Sequence, residues 1–152
     1  MRHGLLLLPL VALLAAAPAQ SAPDGAKIYQ RCAACHLATG KGVPGAFPPL
    51  QSDVRALAGK PDGRRYLILA VTRGLAGPLT VEGKTYRGIM PAQGELDDES
   101  VAAVLTHVTG TIAGGGSAVK PFTAAEVKAA RESGAALDAA AVARLQPKIP
   151  AK

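Results

Sequence analysis

A chain of 152 residues has room for one domain and a tail. Apolar residues make up 49% of it but aromatics only 3%, with no tryptophan, so a core of Ala, Val and Leu alone would be thin. Seventeen basic residues against eleven acidic give a net charge of +6, yet no stacking-rich basic patch accompanies them, which argues against nucleic acid.

The chain opens on a short basic start, Met1-Arg2-His3. An apolar run from Leu5 to Ala17, broken by Pro9, and an Ala17-Pro18-Ala19 cleavage pattern follow. These are the parts of a secretory signal. As an uncleaved anchor the run would reach about 20 Å, short of the roughly 30 Å hydrocarbon core of a bilayer. Residues 1–22 are therefore expected to leave, with cleavage near 19–22 and Gln20 or Pro23 as the mature start. Without Arg2 the net charge falls to +5. No later segment could span a membrane, so no stable insertion of the mature chain is expected.

Asp24 can cap a first helix from Gly25 to about Ala34, with Ile28 and Cys32 on one face. Gly25 and Tyr29 lie one turn apart, so a small and an aromatic residue share a contact surface. At the end of this helix stands Arg31-Cys32-Ala33-Ala34-Cys35-His36, a C-x-x-C-H pattern that reads as covalent attachment of a c-type haem. Two thiols spaced along a helical turn can meet the two vinyl groups on one porphyrin edge. The next residue, His36, then supplies the proximal imidazole. Cys32 and Cys35 are the only cysteines. A thioredoxin-like pair would want a βαβ context, and a zinc site would want more thiols or a second paired ligand motif. One buried porphyrin would also provide the large apolar body that the side chains lack.

Gly40, Gly42, Pro44 and Gly45 make a loop that closes on Phe47-Pro48-Pro49-Leu50. Ser52 to Leu57 is a short helix at best. Pro61 suits the first position of a longer one, Asp62 to about Arg73, ending at Gly74, with Leu67, Ile68 and Val71 able to line a pocket wall. Leu79 to Tyr86 alternates around Glu82-Gly83 and suggests a small β-hairpin. Met90, in Tyr86-Arg87-Gly88-Ile89-Met90-Pro91-Ala92, is the only methionine left once Met1 is removed. Pro91 keeps the backbone extended there, and a thioether on such a loop can approach the iron opposite His36. Asp97 caps a last strong helix whose apolar face is Val101, Val104, Leu105 and Val108, stopping at Gly110.

Beyond it, Thr111 to Lys120 with Gly114-Gly115-Gly116 reads as a flexible linker. Thr123-Ala124-Ala125-Glu126 is a capping box for an Ala-rich helix to about Ser133, and Asp138 can cap another to Leu145, ended by Pro147 and Pro150.

From Gly25 to about Thr109 the chain resembles the small monohaem cytochromes c of class I, with His/Met-ligated iron. Gly25 and Tyr29 resemble that family's glycine–aromatic pair, Cys32, Cys35 and His36 its attachment motif, Met90-Pro91 its distal loop, and Asp97 to Val108 its last helix. The resemblance implies an all-α cytochrome c fold, with about four to five short helices around one haem c per chain. It implies that the Pro48 carbonyl holds the proximal imidazole, that Leu50 packs on the haem, and that His36 and Met90 bind the iron. His107 departs from the aromatic expected on the last helix. It either stacks near Tyr29 or, as a rival, serves as a distal ligand. The domains are then 1–22 signal, 23–112 cytochrome c domain, and 113–152 linker and helical extension. The extension is similar to those of cytochrome subunits that serve periplasmic dehydrogenases or reductases. The alternative is an arm packed on its own domain.

Two strong axial ligands leave no open iron site. The expected function is thus not enzymatic but a one-electron carrier in the periplasm, cycling between Fe(II) and Fe(III) and docking by an exposed haem edge. Its partners would be periplasmic redox proteins: a dehydrogenase, a reductase or a terminal oxidase. Positive charge would favour acidic surfaces and make association salt-sensitive. The alternatives are a fixed subunit of a periplasmic oxidoreductase complex, or a gas-sensing or peroxidatic haem protein. Tyr66, Tyr86, Arg73 and Arg87 can bond haem propionates or act as plain packing and surface residues. Hydrolysis has little support, since Ser133 on the tail is the only serine preceding a glycine.

Overall fold

The computed structural model describes residues 21–149; the signal expected over residues 1–22 lies almost wholly outside the described residues. Among the described residues there are six α-helices and one two-stranded antiparallel sheet. Four helices lie in the region of resemblance: α1 Gly25–His36, α2 Ser52–Ala58, α3 Pro61–Arg73 and α4 Asp98–His107. Two more belong to the extension: α5 Ala124–Ser133 and α6 Ala139–Arg144. No helix among them is long and apolar enough to cross a membrane.

Local chemistry sets the helix starts. Asp24 accepts from the amides of Ala26 and Lys27 at 3.0 and 3.2 Å, and Asp97 from Ser100 N at 2.7 Å. Pro61 opens α3 at a position with no amide to lose. Helix α4 does not stop at Gly110. It widens after His107 into a π turn, Val108–Ile112, closed by Ala113 N to Val108 O at 2.8 Å, with the buried Thr109 hydroxyl donating to Leu105 O.

Helices α1 and α4 cross where a side chain would not fit. A Cβ on Gly25 would sit 2.2 Å from Ala103 O. One turn on, Tyr29 packs against His107 with ring centroids 5.5 Å apart. This is the stacking arrangement for His107.

The hairpin comprises β1 Leu75–Val81 and β2 Lys84–Met90, in register from Leu75 opposite Met90 to Val81 opposite Lys84. It is longer than the alternation from Leu79 to Tyr86 indicated. Ala76-Gly77-Pro78 carries no strand signal of its own and is extended because β2 pairs with it. Glu82 and Gly83 turn the chain with φ of 49° and 75°, as a two-residue hairpin of the right twist demands. Met90 is therefore the last residue of a strand rather than part of an open loop.

The extension is built into the core. Val127 of α5 and Val142 of α6 are fully buried, with Phe122, Ala130 and Ala143 beside them. The stretch read as a linker instead makes a tight 3-10 turn, with Gly115 N bonded to Thr109 O at 3.1 Å and Ala118 N to Gly115 O at 3.2 Å. Arg64 of α3 ties the tail down. Its Nε and Nη2 donate to the two Glu126 oxygens at 2.9 and 3.0 Å, its other bonds reach Lys120 O, Pro121 O and Ala58 O, and its guanidinium lies 3.8 Å over the Phe122 ring. Glu126 also completes the capping box with Thr123.

Two outcomes follow from these contacts. Gly25→Ala should push α1 from α4 and cost about 1–3 kcal/mol of stability, seen as a lower denaturant midpoint; an unchanged midpoint would contradict the close crossing. The Arg64 guanidinium holds the Glu126 carboxyl below its ordinary value of 4.5. The stability this gives is complete above that pH and is lost as pH falls below it. Glu126→Gln should accordingly flatten the acid limb of a stability–pH curve, and an identical limb in both proteins would refute the coupling.

Candidate haem-binding site

The site begins at the C-terminal end of α1, which carries Cys32, Cys35 and His36 on its last turns. The two sulfurs are not joined to each other. Burial pushes the Cys32 thiol up from its ordinary pKa, so it is held as the neutral thiol. After His36 the chain reverses through Leu37, a non-glycine residue at φ 62°. The Leu37 carbonyl accepts from the Tyr29 hydroxyl at 2.9 Å, which ties this strained turn back to α1.

His36 is 7% exposed, and its Nδ1 lies 2.8 Å from Pro48 O. A carbonyl oxygen can only accept, so Nδ1 carries the proton and Nε2 keeps its lone pair. Burial lowers the imidazole pKa, only partly opposed by the Pro48 carbonyl, and this favours the neutral ring that a metal requires. The loop is folded to deliver that carbonyl. Gly42 N bonds His36 O, Leu50 N bonds Gly40 O, and Val43 pairs with Phe47. Gly42 has φ 63°, and a Cβ there would meet Phe47 O at 2.3 Å and Pro48 O at 2.6 Å. Only glycine lets the backbone of Pro48 come this close.

A narrow cleft of about 110 Å³, open to solvent at its mouth, runs from this point. It is lined by Cys32, His36, Pro48 and Leu50, and by Met90 from the end of β2. Cys35 lines the adjoining mouth together with Phe47, Ile89 and again His36, Pro48 and Met90. The six residues singled out from the sequence are thus gathered around one crevice. Leu67 and Val71 of α3 form part of its wall; Ile68 does not, facing the α5 side instead. A helix presents three such neighbours in different directions, and the tail takes Ile68 for itself.

Val54, Leu57, Leu75, Leu79, Val104, Leu105 and Val108 complete the walls. Individually these are ordinary core residues, and no motif marks them. Tyr66 and Tyr86 line the crevice and are buried, whereas Arg73 and Arg87 are absent from its lining. Burial pushes the Tyr66 hydroxyl up to about 12, so it stays protonated. The tail contributes Gln146, whose side chain bonds both Thr80 N and Thr80 O, at 3.2 and 2.7 Å, across β1. Among the described residues no three or more His, Cys, Asp or Glu converge as a bare metal site would need.

Residues 22–111 match the family model described as cytochrome c. The chain belongs to the cytochrome c family. It is 50% identical over 111 residues to cytochrome c-552 of Thermus thermophilus, covering 71% of this chain and 84% of that one. A second cytochrome c-552, from a named strain of Thermus thermophilus, matches with the same identity over 74% of its length. Membership makes this cytochrome c an electron carrier with covalently attached haem c, and the crevice fits that group. Its walls are mostly apolar, one thiol lines it and the other its mouth, and a neutral imidazole with a free nitrogen shares the cleft with a thioether.

Gly42→Ala tests how the crevice is built. The added methyl meets backbone and the left-handed conformation is strained, so a loss of about 1–3 kcal/mol is expected in denaturant unfolding of the haem-loaded protein. No loss would show that the loop carrying Pro48 is free to adjust.

Proposed function

We propose that this cytochrome c is an exported, periplasmic one-electron carrier in which Cys32 and Cys35 bond the haem edge and His36 and Met90 bind its iron. The observation that carries this reading is the Pro48 carbonyl on His36 Nδ1 in a crevice that also receives Met90. When bound, the haem supplies a ferrous–ferric couple that changes charge by one electron. The protein's own residues do the rest.

Pro48 fixes the tautomer and direction of the imidazole, so the ring need not reorient between oxidation states. Leu50, Leu67, Val71, Leu75 and Leu105 exclude water from the crevice, which together with a thioether ligand favours the reduced state. Held by both His36 and Met90, the iron would have no place left for dioxygen or substrate, which disfavours a gas-sensing or peroxidatic role. His107 is occupied against Tyr29 and does not line the crevice, so the bis-imidazole alternative has no structural support.

At the mouth, Ile89 is 77% exposed, next to Phe47 at 38%. Apolar side chains standing in water around an electron-transfer edge suit a brief contact with a redox partner. That partner would be a periplasmic dehydrogenase, reductase or terminal oxidase, and the chain's positive balance favours an acidic face on it. The extension spends its buried residues on its own core, which supports a freely diffusing carrier over a fixed subunit of a larger complex.

The test is a pyridine haemochrome assay and a near-infrared scan of the oxidised protein. One haem c per chain and a methionine-to-ferric charge-transfer band are expected. Met90→Ala should lose the band and let carbon monoxide bind the reduced protein, which the unaltered protein should refuse. A bis-imidazole spectrum, or carbon monoxide binding at neutral pH without the substitution, would overturn the reading.

A further inference from the structure

The segment that joins Met90 to α4 has little structure of its own. Within residues 91–97 the backbone makes one internal hydrogen bond, Leu96 N to Gln93 O at 3.2 Å, and Pro91, Ala92, Gly94 and Glu95 are exposed. It is held from outside by three elements. The Gln93 amide donates to Val71 O of α3 at 2.8 Å. Arg31 of α1, beside Cys32, reaches Gln93 Oε1 at 3.1 Å and pairs with Glu95. The third anchor comes from the extension. Arg131 of α5 donates to Gly94 O at 3.4 Å and to Leu96 O, and its Nε lies 2.8 Å from Asp98 Oδ1. That last pair is close but off the N–H direction, so charge rather than a hydrogen bond holds it.

We infer that Arg131 is a positioning residue that keeps Met90 in the crevice by pinning the backbone of Gly94 and Leu96. This deepens the proposal that Met90 binds the iron and rests on it. Two features make Arg131 suited to the task. Its helix is rigidly seated, with Val127 and Ala130 buried and Glu126 bound by Arg64. Its guanidinium addresses two carbonyls and a carboxylate between Gly94 and Asp98, a fork that a lysine could not reproduce in full. Position 131 also lies beyond residues 22–111, so the extension adds to the cytochrome c domain a restraint on the distal side. A restraint there acts on an equilibrium between bonded and released thioether, and an external ligand reads the released fraction directly.

The experiment uses the full-length, haem-loaded, oxidised protein and titrates imidazole as the competing ligand. Arg131→Gln should bind imidazole about tenfold more tightly, as loss of charge-assisted bonds enlarges the released fraction. Arg131→Lys should fall between the two. Arg65→Gln is the control, because Arg65 bonds the hydroxyl and carbonyl of Ser133 on the same helix and makes no hydrogen bond to residues 91–98. It should leave imidazole affinity unchanged. A second readout does not depend on the haem: amide exchange at Gln93 and Leu96, the hydrogen-bonded amides of the segment, should quicken in Arg131→Gln and not in Arg65→Gln. Should Arg131→Gln fail to fold, Asp98→Asn removes only the carboxylate and should tighten imidazole binding by a smaller factor. Unchanged affinity in either variant at this pair, or an equal change in Arg65→Gln, would overturn the inference. Unaltered protein lacking the charge-transfer band would remove the Met90 reading itself. A band present with unaffected Arg131→Gln would remove only the role of Arg131.

Discussion

A histidine binds a metal well through one nitrogen when its other nitrogen is held, and here the holding group is the carbonyl of Pro48, 2.8 Å from His36 Nδ1. The proximal half of the structure follows from that bond. Helix α1 must end at His36, the chain must reverse at Leu37, and the loop that follows must return a carbonyl to the ring. A proline has no amide to satisfy, so Pro48 can turn its carbonyl inward without leaving a donor stranded. Gly42 gives up its side chain so that this carbonyl fits, and Tyr29 steadies the reversal by donating a hydrogen bond to the Leu37 carbonyl.

The distal half has no comparable single bond. Met90 is placed by the pairing of β2 with β1 on one side and by an irregular segment on the other, and both supports touch the extension. Gln146 grips Thr80 across β1, while Arg131 grips the carbonyls beyond Met90. Arg64 and Glu126 fasten the extension to α3, which is also a wall of the crevice. A small, aromatic-poor domain thus gains rigidity around its cofactor from polar and charged residues at its edges rather than from larger side chains in its core.

What the sequence reveals divides along this line. Covalent attachment is legible because C-x-x-C-H combines two thiols and an imidazole at a spacing few other chemistries need. Caps are legible because Asp24, Asp97, Thr123 and Asp138 act on amides two or three residues away. The first half of β1, before Leu79, escapes, since Gly77 and Pro78 are extended only by virtue of their partners on β2, Gly88 and Arg87. Ile68 is misplaced among the wall residues because periodicity gives a face but not what covers it. Arg64, Arg131 and Gln146 carry no signal at all. Apart from Ala58, close before Arg64 in the chain, their partners lie 33 to 66 residues away, and an arginine or glutamine reads as surface until the fold brings a carbonyl to it.

A potentiometric titration of the purified, matured protein reaches the central claim most directly, because ligation, water exclusion and the absence of an open site all converge on the potential. The expected result is one reversible, one-electron transition at a positive potential, the same with and without carbon monoxide. A transition that moves under carbon monoxide, or a potential in the low range of two imidazole ligands, would contradict an iron closed by His36 and Met90.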